Sequence, residues 1–161
     1  MIIVSIPQAL IEALRRRGLD IDYLIDVLAT KLDLDPSDTA KAHAELAIAM
    51  FNEGLNLIGK GDVVQSSEKL YKAVEEAIKA LAIAKNLDEA REALDKGRWS
   101  VSLLDDAASK LGDVAERAWD AAYFLHVNGF HEVRIRIDEV ERRIKYIRPL
   151  IDELKEIMGF H

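Results

Sequence analysis

The sequence predicts an all-α protein: an up-down helical bundle over residues 36–161, preceded by an N-terminal helical hairpin over residues 1–35. Three observations predict it. Apolar residues recur at helical spacing along most of the chain. Helix starters such as Asp-Pro and Ser, and glycine stops, divide that pattern into segments. The one stretch that alternates like a strand, "EVRIRI" from Glu132 to Ile137, has no second strand to pair with and reads as an extended linker or a frayed helix.

Each element follows from local chemistry. Pro7 suits a helix start and Gly18 its stop, which gives a short first helix ending near Arg17. Asp20 or Asp22 can cap a second one carrying Leu24, Val27, Leu28 and Leu32 at helical spacing. Asp35-Pro36 opens a long helix to about Ile58, with Ala47, Met50, Phe51, Gly54 and Ile58 as its apolar stripe. "GKGD" ends it, and Asp62 caps a helix to about Lys85. In that helix Val74, Ala77 and Leu81 fall within about 40° of Leu70, while Glu68, Lys72, Glu75 and Lys79 gather on the other side. The Glu/Lys ladder therefore reads as a solvated face supported by i,i+3 and i,i+4 pairs. A short helix near Asp88–Lys96 stops at Gly97, and Ser100 caps one that buries Leu103, Leu104, Ala107 and Leu111. After Gly112, Asp113 caps a helix to about Val127, and a last long helix from about Asp138 to Met158 contains Pro149, which costs it a hydrogen bond.

Composition excludes several chemistries. With no cysteine, the 161 residues can form no disulfide, thiolate nucleophile or Cys-built zinc site. Two glutamines and four asparagines among abundant Lys, Arg, Glu and Asp resemble the thermophile preference for ion pairs over labile amides. A net charge of −7 argues against binding nucleic acid with the whole surface. Arg134, Arg136, Arg142, Arg143, Lys145 and Arg148 form a basic exception, offset by Asp138, Glu139 and Glu141. No apolar run is long enough to span a membrane and the start lacks a secretory pattern, so a cytoplasmic location is expected.

Chemistry concentrates in "LHVNGFHE", Leu125–Glu132. On a helical wheel His126 lies about 20° from Trp119, on an almost wholly apolar helix that should run through the middle of the bundle. Asn128-Gly129 suits a left-handed C-cap, which would end the helix between His126 and His131. Zinc pairs on one helix use i,i+3 or i,i+4 spacing, and an i,i+5 pair broken by glycine has no fixed facing in an α-helix. No metal and no cofactor is therefore expected. The favoured reading is structural: His126 buried and bonded to a helix end, with His131 or Glu132 closing the corner. His126, His131, Glu132 and Arg98 are the candidates for acid/base or nucleotide-contacting roles. Ser66, Ser67, Ser100 and Ser102 stand in helix-start contexts, and Trp99, Trp119, Tyr71 and Tyr123 read as core anchors.

Three stretches, "FNEGLNLIGKGDVVQSSEKLYKAVEEAIKALA", "KGRWSVSLLDDAASKL" and "WDAAYFLHVNGFHE", together resemble the PaREP-type archaeal family of paralogous proteins. That family is similar in layout to the HEPN (higher eukaryotes and prokaryotes nucleotide-binding) bundles. The resemblance implies an HEPN-like helical bundle, often dimeric, some of whose relatives cut RNA. Cleaving members place an arginine shortly ahead of a histidine; here Arg117 precedes His126 by nine residues, and none of the other histidines has an arginine at the required distance. The expected function is accordingly a non-catalytic, self-associating interaction module, with a protein, nucleotide or RNA as further partner. A divergent ribonuclease or nucleotide-processing enzyme is the alternative, and an antitoxin-like role for residues 1–35 a lesser one.

Overall fold

Pro36 sits at the first helical position and the Asp35 carboxylate accepts from the Ser37 N–H, and between them they start the long helix that organises the molecule. The structure, a computed structural model, describes residues 2–19 and 23–160. Its helices are α1 (Gln8–Arg16), α2 (Leu24–Leu32), α3 (Pro36–Gly59), α4 (Val63–Ala84), α5 (Asp88–Lys96), α6 (Val101–Leu111), α7 (Asp113–Leu125), a π-helical turn (His126–His131), α8 (Ile137–Glu141) and α9 (Ile144–Met158). No strand occurs among the described residues. The fold is an all-α bundle, and no helix in the described part is long and apolar enough to cross a membrane.

Most boundaries fall where local signals place them. Asp62 accepts from the Gln65 N–H and Ser100 from the Leu103 N–H, while Gly97 takes the left-handed conformation that closes α5. Asp20 and Asp22 lie outside the described residues. The last helix is divided: α8 ends at Glu141 and α9 starts at Ile144, with Pro149 inside it. Asp113 is the first residue of α7 rather than its cap, which is Gly112.

Packing departs from the wheel in one consequential way. The centre of the bundle is α4, not α7: every residue from Ala73 to Ala82 is buried, whereas α7 leaves Val114 and Tyr123 at the surface. Helices α3, α7 and α9 surround α4, and Asp26 of α2 reaches Lys79 on its polar side. The Glu/Lys ladder is therefore not a solvated face. Lys79, Glu75 and Glu76 are all buried, because the polar side of α4 is roofed by segments distant in sequence.

Burying charges is tolerable only when they neutralise one another. Lys79 Nζ lies 3.3 Å from Asp26 Oδ2 and 3.2 Å from both Glu75 Oε1 and Glu76 Oε1. His43, fully buried on α3, places Nδ1 on Glu76 Oε2 and brings Nε2 to 3.1 Å from Asp26 Oδ1, an ion pair without aligned hydrogen-bond geometry. Burial alone would lower the His43 pKa, but its contacts with Asp26 and Glu76 win and hold it above the ordinary histidine value. Burial likewise opposes ionisation of Asp26, yet His43 and Lys79 keep it below the usual carboxylate value. Lys79 is raised, three carboxylates outweighing its desolvation.

Asp26 also orients α2. With Asp26 and Ala29 turned toward the bundle, Leu24, Val27, Leu28 and Leu32 are left 39–63% exposed, so the second helix's apolar stripe faces outward. α1 buries none of its residues.

Replacing Lys79 with Met leaves Asp26 and Glu76 with His43 as their remaining buried cation and should cost on the order of 3–5 kcal/mol in urea unfolding. Stability should also follow pH with a defined sign. The depressed Asp26 contributes fully above its unfolded value of 3.8 and loses that contribution as acid protonates it in the fold; the raised His43 contributes fully below 6.5 and loses it as pH rises through its folded value. The urea midpoint should therefore decline on the alkaline side of pH 6.5, and His43→Gln should flatten that limb. A wild-type midpoint that climbs between neutrality and mild alkali contradicts a charged His43.

Candidate functional site: the histidine pair at the π turn

Helix α7 does not end at Asn128-Gly129. It widens into the π turn His126–His131, and neither Asn128 nor Gly129 has a positive φ. The left-handed residue comes later, at Val133 (φ 49°), a conformation that costs a β-branched residue about 1–2 kcal/mol. Gly129 serves another purpose. A Cβ there would stand 2.0 Å from Ser67 Oγ and 2.6 Å from Ser67 Cβ, so only glycine lets the turn press against α4. Asn128 secures both sides of the turn, donating to the Phe124 carbonyl at 3.0 Å and accepting from Arg134 Nε at 2.7 Å.

A π turn closes its hydrogen bonds at i+5, so residues five apart stack as residues four apart do in an α-helix. Spacing that has no fixed facing in an α-helix thereby acquires one. His126 Nε2 and His131 Nε2 lie 3.1 Å apart, the rings meeting edge to face with centroids at 4.4 Å. His126 is half-buried, and its Nδ1 is 2.9 Å from Glu68 Oε2 on α4. Its partner is thus a side chain on another helix, not a helix end. Tyr71 stacks on the ring at 4.0 Å and Phe130 flanks it at 5.9 Å, which fixes the plane. Burial, with the charges of Glu75 and Glu68, raises the Tyr71 phenol, keeping it neutral beside the imidazole.

The carboxylate–imidazole–imidazole row can hold a proton on His126 Nδ1 and leave Nε2 as an acceptor. That is the orientation an acid/base histidine needs. His131 is exposed and completes the row; Glu132, also exposed, closes the turn through its backbone N–H on the Val127 carbonyl. Arg98 is not gathered in. It follows α5, between Gly97 and Trp99, which line a separate hollow of about 120 Å³ among α2, α4 and α5 together with Asp26, Ile83 and Arg91.

Sequence reasoning missed Glu68, since its ladder position marked it as solvated. The only available signal was that His126, predicted to face inward, required a polar partner somewhere in the fold. Trp99, Trp119 and Tyr71 are buried as core anchors, and Trp119 donates to Asp105 Oδ1 at 2.9 Å; Tyr123 remains at the surface. The basic segment is engaged internally: Arg143 lies 3.6 Å over the Phe124 ring, Arg148 5.2 Å over Phe51, and Arg136 pairs with Asp138.

Gly129→Ala should lower the unfolding free energy by roughly 1–3 kcal/mol, and adding Ser67→Gly should restore much of it. A Gly129→Ala protein with wild-type urea stability would refute the close approach of the turn to α4.

Comparison with known proteins agrees with this architecture. A crystal structure of a Sulfolobus solfataricus protein is 35% identical, with a TM-score of 0.66, over 70% of this chain and 96% of that one. A solution structure of the same structural-genomics target is 34% identical, with a TM-score of 0.63, over 71% of this chain and 92% of that one. No curated protein matches. The model of the archaeal PaREP1/PaREP8 family matches residues 42–151, which span most of the bundle and both histidines of the π turn, and the chain belongs to that family.

Proposed function

We propose that the protein is a helical interaction module that self-associates, as a dimer, through the outward face of its N-terminal segment. One observation carries this reading: Asp26 ties α2 to the bundle by its polar side, leaving Leu24, Val27, Leu28 and Leu32 turned to solvent beside the exposed Leu34. A contiguous apolar stripe of that kind gains free energy when a second surface covers it. The family match starts at residue 42, which supports reading residues 1–35 as an appendage to an HEPN-like bundle over 36–161. No helix among the described residues is long and apolar enough to cross a membrane.

A second reading draws on the Glu68–His126–His131 row: a divergent nuclease or nucleotide-processing enzyme in which Glu68 orients His126 as acid or base. The side chains of Arg98 and Glu132 make no hydrogen bond or ion pair with the two rings among the described residues, so in this reading Arg98 comes from a partner copy.

Size-exclusion chromatography with light scattering should give a dimer at micromolar concentration, and Leu28→Glu with Leu32→Glu should give a folded monomer. A wild-type chain that stays monomeric there removes self-association. For the second reading, labelled RNA and nucleotides are incubated with wild type and His126→Ala; equal background from both ends it.

A further inference from the structure

Two imidazole nitrogens facing each other at 3.1 Å share either a proton or a metal ion. In a tetrahedral zinc site, Zn–N bonds of about 2.0–2.1 Å put two imidazole nitrogens roughly 3.3 Å apart. To hold such an ion the His126 and His131 rings need to separate by a few tenths of an ångström and His131, the exposed ring, to turn so that the two lone pairs converge on it.

Three independent features make the pair a chelate rather than a chance contact. The Glu68 carboxylate, 2.9 Å from His126 Nδ1, keeps the proton on that nitrogen and leaves Nε2 free to donate its lone pair. Tyr71 and Phe130 hold the His126 ring in plane, so little rotamer freedom is lost on binding. The π turn, braced by Gly129 against Ser67 and by Asn128 against Arg134, keeps His131 over His126 through the backbone itself. His131 is exposed, so an ion can reach the pair from solvent.

We propose that His126 and His131 bind one divalent transition-metal ion of the zinc, nickel and copper class, with Glu68 as the positioning residue behind His126. Among the described residues no group of three or more His, Cys, Asp or Glu converges to hold an ion, so water or an incoming ligand takes the remaining positions. Two protein ligands are fewer than the three that hold a catalytic zinc, so the ion is held exchangeably and most of its positions stay open. Imidazole favours copper(II) over zinc and nickel, and gives magnesium or calcium, which demand oxygen ligands, nothing to bind. The inference is independent of self-association through α2, whose surface lies on other residues.

The test is calorimetric titration of the full, untagged chain with zinc chloride and copper(II) chloride, using magnesium chloride as the control. One ion per chain is expected. His131→Ala, at an exposed position that leaves the core intact, should weaken binding at least tenfold. Glu68→Gln should weaken it by roughly ten- to a hundredfold at unchanged stoichiometry. Copper absorption of the wild-type complex should show nitrogen ligation that His131→Ala reduces. The proposal is overturned if wild type takes up no zinc or copper at micromolar concentration, or if His131→Ala binds them as wild type does. Light scattering on the same samples reports the oligomeric state separately.

Discussion

The burial of α4 on nearly all sides is the constraint from which the rest of the structure follows. A helix with one apolar and one polar face normally needs a single packed neighbour surface, and water solvates the rest. Here α3, α7 and α9 enclose α4, and the polar residues along it have to find partners inside the protein. They find them at two places. Toward the C-terminal end, Glu75, Glu76 and Lys79 meet His43 and Asp26. Toward the N-terminal end, Glu68 meets His126. Both histidine clusters of the fold are thus consequences of one buried amphipathic helix.

The two clusters differ in what they leave open. Around Lys79 the charges are close to fully compensated and mostly buried, which suits a latch between α2 and the bundle. Such a network contributes little net stability over an apolar core of the same volume, but removing one member is costly because the others are stranded. It thereby dictates how α2 sits and which of its faces is presented. Around His126 the row runs outward, from a half-buried carboxylate through a half-buried ring to an exposed one. A gradient from interior to solvent of that kind offers a ligand or ion direct access to a ring nitrogen, which the cluster around Lys79 does not.

The π turn shows why one extra residue per turn matters. It moves His131 from an unaligned position onto the His126 face, at the cost of a left-handed Val133 and of a glycine forced by Ser67. Strained backbone persists where surrounding contacts over-determine it. Here Asn128, bonded to Phe124 on one side and Arg134 on the other, supplies that determination.

The amino-acid order by itself determined the all-α class, the caps at Asp35, Asp62 and Ser100, the glycine stop at Gly97, and the inward side of α3. Those are properties of contiguous residues, since capping and periodicity involve groups within a turn or two of each other. It also singled out His126 and His131. Tertiary structure alone decided that Lys79 is buried and Leu28 exposed, that Glu68 belongs to His126 across 58 positions, and that Gly129 serves close packing instead of a left-handed cap. Whether a polar face is wet or enclosed depends on which distant segments come to lie over it, and no local pattern encodes that.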